Sequence, residues 1–298
     1  FKIIYLSKLA AIGENPQSIG KKRFAKTSNP TTFWFRKQID IDTPPPGASA
    51  SLLLWDAFCN RIGVTRQENR VEAELLEFCI RQDLENLAPR GMAVLDPLPI
   101  TISNYPSSDD EILEAPWHQN SPEMGSREIT FGRNLVIERE DFIEEPPRKF
   151  RRLSPGALVR LRYGYIIRCD KVVKDVEGRV EELICTYFPE SKSGSDTSGL
   201  KPNGVIHWVS AKTGCRSVVR LYERLFKVAT PKSEIMLDEL NEDSMVVADT
   251  ITEPAIVNAS GERFQFERVG YFFKDPVEFN SNRPVFNRIV TLRDSYRP

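Results

Sequence analysis

Histidine is almost missing: only His118 and His207 occur in 298 residues. A histidine-based metal hydrolase or a Ser/His triad therefore has almost nothing to stand on. His207 lies in the strand-like run Val205-Ile206-His207-Trp208-Val209 and reads as a packed structural residue. Cysteine is scarce too. Cys59, Cys79, Cys169, Cys185 and Cys215 are odd in number, far apart in sequence and form no CxxC. That argues against a disulfide framework or zinc cluster and suits a reducing cytoplasm. No apolar run approaches the roughly 18 residues of a membrane span. Lys8 interrupts the opening Phe1–Ser7 run too early for a signal peptide. Charge of one sign is also lacking, since 41 Lys+Arg against 42 Asp+Glu give a net charge of −1. A histone-like binder is excluded, and any nucleic-acid surface must arise from local sorting of charge.

What is present is an ordinary globular composition, 40% hydrophobic and 28% charged, at a length of about two domains. Residues 1–54 are irregular and break at Thr43-Pro44-Pro45-Pro46-Gly47, a linker-type composition. Gly13 and Gly20-Lys21-Lys22 imitate a phosphate loop, but the glycines are too widely spaced. Lys22 also stands where Ser or Thr should hold Mg²⁺. A helix is expected over Leu52–Ile62, ended by Gly63. Thr65-Arg66-Gln67-Glu68 has capping-box spacing and opens a second helix. Its apolar stripe of Val71, Leu75 and Cys79, flanked by Leu76, Ile80 and Leu84, runs to Pro89. Beyond Arg90 the texture changes to short β-rich runs, among them Ile100–Ile102, Leu135–Glu138, Leu158–Ile167, Leu183–Phe188, Val205–Val209, Val218–Phe226 and Pro284–Leu292. Many short strands without amphipathic helices between them predict antiparallel barrels or sandwiches. Ser191–Gly204 reads as a mobile hairpin loop.

Charge is sorted along the chain. Ser107–Glu111 and Glu138–Glu145 are acidic, whereas Pro147–Cys169 holds Arg148, Lys149, Arg151, Arg152, Arg160, Arg162 and Arg168 and no carboxylate. In Val159-Arg160-Leu161-Arg162 a strand places both arginines on one face, about 7 Å apart. Two readings stay open: a polyanion lies across this face, or each guanidinium pairs with a separate carboxylate. Arginine suits the first, because its planar fork grips phosphate or a base edge and stacks on exposed bases. In Phe264-Gln265-Phe266-Glu267-Arg268 the phenylalanines alternate inward. Gln265 and Glu267 are then expected to face out, either to read donor and acceptor edges or as the polar side of an edge strand.

From Phe58 onward the sequence resembles the glutaminyl-tRNA synthetase family, in its part C-terminal to the ATP-binding fold. The runs that carry the resemblance include Phe58–Asn69, Ala88–Val94, Ser121–Arg127, Gly204–Ala211, Arg220–Phe226, Phe264–Phe272 and Pro284–Arg288. The Gly204–Ala211 run favours the glutaminyl over the related glutamyl enzyme. The resemblance implies a mainly β fold: two antiparallel anticodon-binding barrels preceded by a short helical segment, with residues 1–54 unassigned. Residues 55–90 would contact the tRNA stem. A proximal barrel would comprise 91–142 plus 227–298, and a distal one 143–226. Its implied role is recognition of the anticodon of tRNA(Gln) in the cytoplasm, with neither membrane nor DNA as partner. By position, Arg90, Gln265 and Arg268 would hold the middle anticodon base with Glu267 in support. Arg152 and Arg151 would meet the third base, and Arg160, Arg162 and Arg293 the first. Asn120 sits on the matching loop.

Three positions depart from the family pattern: Lys149 stands for a glutamine, Gln119 for a proline and Ser295 for a threonine. The family joins glutamine to tRNA with ATP and Mg²⁺ on a nucleotide fold bearing HIGH-like and MSK-like motifs. No HIGH-like tetrapeptide occurs here, and Leu6-Ser7-Lys8 lacks matching flanks. The expectation is a chain that binds tRNA but holds no cofactor and does not aminoacylate by itself, with a catalytic domain supplied elsewhere or lost. The alternatives are a glutamyl counterpart and a non-catalytic interaction module.

Overall fold

The computed structural model describes residues 58, 60, 61, 73–106, 110–228 and 238–293. The irregular 1–54 stretch, the capping box at 65–68 and most of the expected 52–62 helix lie outside the described residues. Two compact units divide the chain. The first contains helix α1 (Ala73–Leu87). Cys79, Ile80 and Leu84 of the expected stripe are its buried apolar positions, and the helix stops two residues before Pro89, whose ring cannot continue it.

The second unit, Ala88–Glu223 with Met245–Arg288, is β-rich. In chain order the strands are β1 (Arg90–Gly91), β2 (Ala93–Val94), β3 (Pro97–Ile102), β4 (Glu111–Pro116), β5 (Ser126–Phe131), β6 (Asn134–Glu138), β7 (Leu158–Leu161) and β8 (Ile166–Lys174). There follow β9 (Val180–Phe188), β10 (Val205–Ile206), β11 (Trp208–Ser210), β12 (Cys215–Tyr222), β13 (Met245–Thr252), helix α2 (Pro254–Asn258), β14 (Arg263–Phe266), β15 (Gly270–Lys274) and β16 (Val285–Thr291). One seven-stranded sheet runs β1-β14-β15-β16-β12-β13-β2, a second runs β10-β7-β8-β9-β3-β6-β11, and β4 pairs with β5. Both curl into nearly closed barrels. Antiparallel hairpins build them, and the parallel pairs β1·β14, β12·β16, β3·β9 and β7·β10 join strands distant in sequence.

Sheet membership departs from the expected division at residue 142. Strands β3 and β6, expected in the proximal barrel, pair with β9 and β11; β12, expected in the distal barrel, pairs with β13 and β16. The reason is register. Leu98, Ile100, Ile102, Leu135 and Ile137 all point into the core that also receives Val159, Leu161, Ile167 and Leu183. Ring contacts add directionality there: Phe131 lies 4.9 Å from Tyr165 and 5.6 Å edge-on from Trp208. Phe264, Phe266, Phe272 and Phe286 centre the other core, with Phe266 stacked on Phe272 at 4.1 Å. Each buried ring contributes about 1.5–3 kcal/mol. The sequence pattern missed β1, β2, β4, β5 and β15. It also ran together what are two strands at 158–167, divided by the turn at Arg162–Gly164, and two at 205–210, divided at His207.

Candidate functional site

Three of the predicted residues, Arg152, Arg162 and Arg268, collect around two buried carboxylates, Asp141 and the predicted Glu267. Strand β14 ends at Phe266, and the chain turns back through Glu267 and Arg268, with Val269 N–H donating to Phe266 O at 3.0 Å. Arg268 takes the left-handed conformation, φ 67°, uncommon outside glycine. Neighbouring Glu267 and Arg268 thus serve different clusters.

The first cluster centres on Glu267, 3% exposed. Its carboxylate pairs with Arg162, accepts from Tyr163 Oη at 2.8 Å and lies 3.5 Å from Arg127 Nη2. Arg127 is buried and pairs also with Glu253, which is itself 3% exposed. Burial pushes the Glu253 carboxyl up from its ordinary range, while Arg127 pulls the other way. Tyr163, at φ 61°, lies between two cations: the Arg162 and Arg127 guanidiniums stand 5.2 and 5.6 Å from its ring centre. The Arg162 backbone is fixed from both sides, its N–H donating to Ile206 O at 2.9 Å and its carbonyl accepting from Trp208 Nε1 at 2.9 Å.

The second cluster centres on Asp141, fully buried. Arg268 grips it with both terminal nitrogens, at 2.5 and 2.7 Å, and Arg152 Nε lies 3.2 Å from it. Arg152 also reaches Glu140 Oε1 at 3.0 Å. Burial opposes the charge on Arg268, yet the bond to Asp141 holds its pKa above the ordinary arginine value. His207 is buried, as read from the sequence, with Nδ1 3.1 Å from Arg268 and Nε2 3.5 Å from Glu138.

In the β1·β14 ladder Arg90 stands opposite Gln265 in parallel register. Arg90 N–H donates to Trp117 O at 2.6 Å, and its Nη2 lies 3.2 Å from His118 Nε2. His118 Nδ1 accepts from the N–H of exposed Asn120 at 3.1 Å, so the imidazole beside Arg90 is anchored to the 116–120 loop. Gln265 and Glu267 were expected to face out. Both are instead buried, at 7% and 3% exposure, and Glu267 is covered by Arg127, Arg162 and Tyr163. Among the described residues Gln265 Oε1 has no hydrogen-bond partner.

The carboxylate-free run resolves into two groups. Arg152, Arg160, Arg162 and Arg168 each pair with a carboxylate from outside it, Arg160 with Asp196 at 2.5 Å and Arg168 with Asp170 at 2.7 Å. Val159 and Leu161 point into the core, as the alternation required. Arg160 also donates to Ser191 O at 2.6 Å and so holds the start of the 191–204 loop, which was expected to be mobile. Its carboxylate differs from that of Arg162, so no shared contact joins the two. Arg148, Lys149 and Arg151 are exposed and carry no ion pair among the described residues. The backbone of Arg151 is set by Gly204, where a side chain would meet the Arg151 carbonyl oxygen at 2.1 Å. Arg293 is exposed and belongs to the first unit. Ser295 lies outside the described residues.

Sequence reasoning missed Arg127, Tyr163, Glu253 and Asp141. One signal was available for Arg127: in β5 it is in phase with Ile129 and Phe131, and a charge at an inward position demands a buried counter-charge. No group of three or more His, Cys, Asp or Glu able to hold a metal ion occurs among the described residues, and no helix among them is long and apolar enough to cross a membrane.

Two family models match, both described as tRNA synthetases class I (E and Q), anti-codon binding domain, over residues 88–188 and 205–275. The chain is 46% identical over 241 residues to a glutamine–tRNA ligase of Vibrio vulnificus, covering 80% of this chain and 43% of that protein. It is 47% identical over 245 residues to one of Rhodopirellula baltica, covering 80% and 41%. The chain thus spans less than half the length of the curated relatives it matches.

Proposed function

The chain belongs to the anticodon-binding family of class I tRNA synthetases for glutamate and glutamine, and from that premise we propose that it reads the anticodon of tRNA(Gln). The observation that carries the reading is the Gln265 amide oxygen, buried without a partner beside Arg90. A buried acceptor left unmade costs about 1–3 kcal/mol, which a donor on a flipped-out base would relieve. Arg90 and the Gln265 amide together offer what a base edge needs, a forked donor and a mixed donor–acceptor. The clusters on Glu267 and Asp141 act beneath them as a rigid floor. Exposed Arg148, Lys149 and Arg151 are the anion-facing group and meet phosphates of the loop. Arg152, Arg162 and Arg268, each already paired in the protein alone, meet bases by sharing or exchanging carboxylate partners.

In this reading the chain is the tRNA-selecting part of a cytoplasmic glutamine–tRNA ligase, and the ATP and Mg²⁺ chemistry belongs to the part of the relatives that this chain does not span. The test is binding to tRNA(Gln) and tRNA(Glu) over a salt series. Affinity should fall with salt at a log–log slope of about −0.7 per phosphate contact, near −2 for three contacts, and should favour tRNA(Gln). Preference for tRNA(Glu) would move the assignment to glutamate, and absence of binding at low salt would support the interaction-module alternative.

A further inference from the structure

We propose that Cys169 and Cys185 are a modification site, forming a reversible cross-strand disulfide when the protein meets hydrogen peroxide. The two residues stand directly opposite each other in the antiparallel β8·β9 ladder. Their backbone bonds show which kind of opposition this is. Cys169 O accepts from Gly156 N–H at 2.7 Å and Cys185 O from Ser103 N–H at 2.8 Å, so both carbonyls turn away from the shared ladder. Tyr187, two residues along β9, likewise spends its N–H and carbonyl on Asn104, at 3.0 and 2.9 Å. The Cys169–Cys185 position is therefore a non-hydrogen-bonded pair, the closer of the two kinds, with α-carbons about 4.5 Å apart. That spacing falls within the range a disulfide spans, about 4.4–6.8 Å.

Two further features favour closure. Both thiols are free, and Cys169 Sγ lies 3.9 Å from the Lys171 carbonyl oxygen. The register also slips immediately after Cys169, between it and Lys171, and a bulge gives the strand the local twist and freedom to draw two sulfurs together. The two thiols perturb each other. The interaction with Cys185 holds the Cys169 thiol below its usual range against the effect of burial, and the same interaction, reinforced by burial, pushes Cys185 up. Either sulfur can react first; the step balances as follows with Cys169 as the nucleophile. Its thiolate attacks one peroxide oxygen, the O–O bond breaks, hydroxide leaves and Cys169 becomes a sulfenic acid. The Cys185 sulfur then attacks the Cys169 sulfur; the S–O bond breaks and water leaves with the Cys185 proton. In sum two thiols and one peroxide give one disulfide and two waters, and a dithiol reduces the disulfide once unfolding or digestion exposes it. Both side chains are fully buried, which restricts the reaction to an oxidant as small as peroxide and excludes exchange with a bulky disulfide.

The reduced full chain should be treated with hydrogen peroxide, alkylated, digested and mapped by mass spectrometry. The expected product is a linked Cys169–Cys185 peptide pair, lighter by two hydrogens and abolished by dithiothreitol. The Cys185→Ser variant should instead accumulate a Cys169 sulfenic acid that a dimedone probe traps. Recovery of both residues as alkylatable thiols after the partly exposed Cys215 has been oxidised would overturn the proposal. So would linkage of either to another cysteine. The mapping of the unsubstituted chain decides even if the variant does not fold.

Discussion

Replacing Arg127 by methionine perturbs the buried floor of the site most sharply. The substitution keeps an apolar stem of similar length and deletes the guanidinium. In the native chain that group pairs with Glu253 and Glu267, donates to Pro116 O at 2.5 Å and faces the Trp117 ring at 5.2 Å. Without it Glu253, 3% exposed, has lost the cation that opposes its desolvation, while Glu267 keeps Arg162 and Tyr163. Removing one partner of a buried pair costs about 3–5 kcal/mol, a large part of the roughly 5–15 kcal/mol by which a domain is stable. The loss should depend on pH in a defined direction. Burial already raises the Glu253 pKa, and losing Arg127 raises it further. A carboxyl whose folded value exceeds its unfolded value favours folding when protonated; that stability is full below the unfolded value of about 4.3 and fades as pH rises through the folded one. The variant's deficit relative to the native chain should therefore be smallest near pH 4 and grow toward neutrality. Urea unfolding across that range, followed by tryptophan fluorescence, measures it, and adding Glu253→Gln to the variant should flatten the dependence. A neutral-pH deficit below about 1 kcal/mol, well under the 3–5 expected for a broken buried pair, would refute the reasoning, as would one that does not change with pH.

Tyr163→Phe removes only the hydroxyl that donates to Glu267 at 2.8 Å. It should destabilise by about 1.5–3 kcal/mol, the range for a hydrogen bond to a charged group, as read by urea unfolding at neutral pH. Asp141→Asn keeps the shape but strips the charge that Arg268 grips with two bonds and Arg152 shares. A loss of about 3–5 kcal/mol in the same assay is expected, and an unchanged midpoint would show that Glu140 and Glu138 suffice for those cations.

How far the sequence could be read depended on whether a residue's role was local. Alternation and the Pro and Gly punctuation marked Leu135–Glu138 and Pro284–Leu292 as strands within a few residues, and placed Val159 and Leu161 inward. Strand β4 was hidden because Glu111 and Glu114 interrupt its apolar residues, and β5 because Arg127 occupies an inward position. Sheet pairing across residue 142 was not legible because pairings such as Ile100 with Leu183 join residues more than eighty apart, which no local pattern encodes. Among the site residues, the resemblance supplied Arg90, Gln265 and Arg268. It did not reveal that Glu267 lies in a sealed ionic layer, since partners such as Arg127 and Glu253 are distant in sequence. The basic run was legible as a cluster, but which members would be neutralised depended on Glu140, Asp196 and Glu267 arriving from elsewhere.

Base reading by Gln265 is tested most directly by Gln265→Leu. The native chain and the variant are each titrated with tRNA(Gln) and with the same tRNA altered at the middle anticodon base. Because the amide oxygen has no partner in the folded chain, the variant should unfold at an unchanged or higher midpoint. The native chain should discriminate between the two tRNAs by about 1–3 kcal/mol, roughly 5- to 150-fold, and the variant should lose most of that difference. Equal affinity of the native chain for both tRNAs, or undiminished discrimination by the variant, would contradict the account.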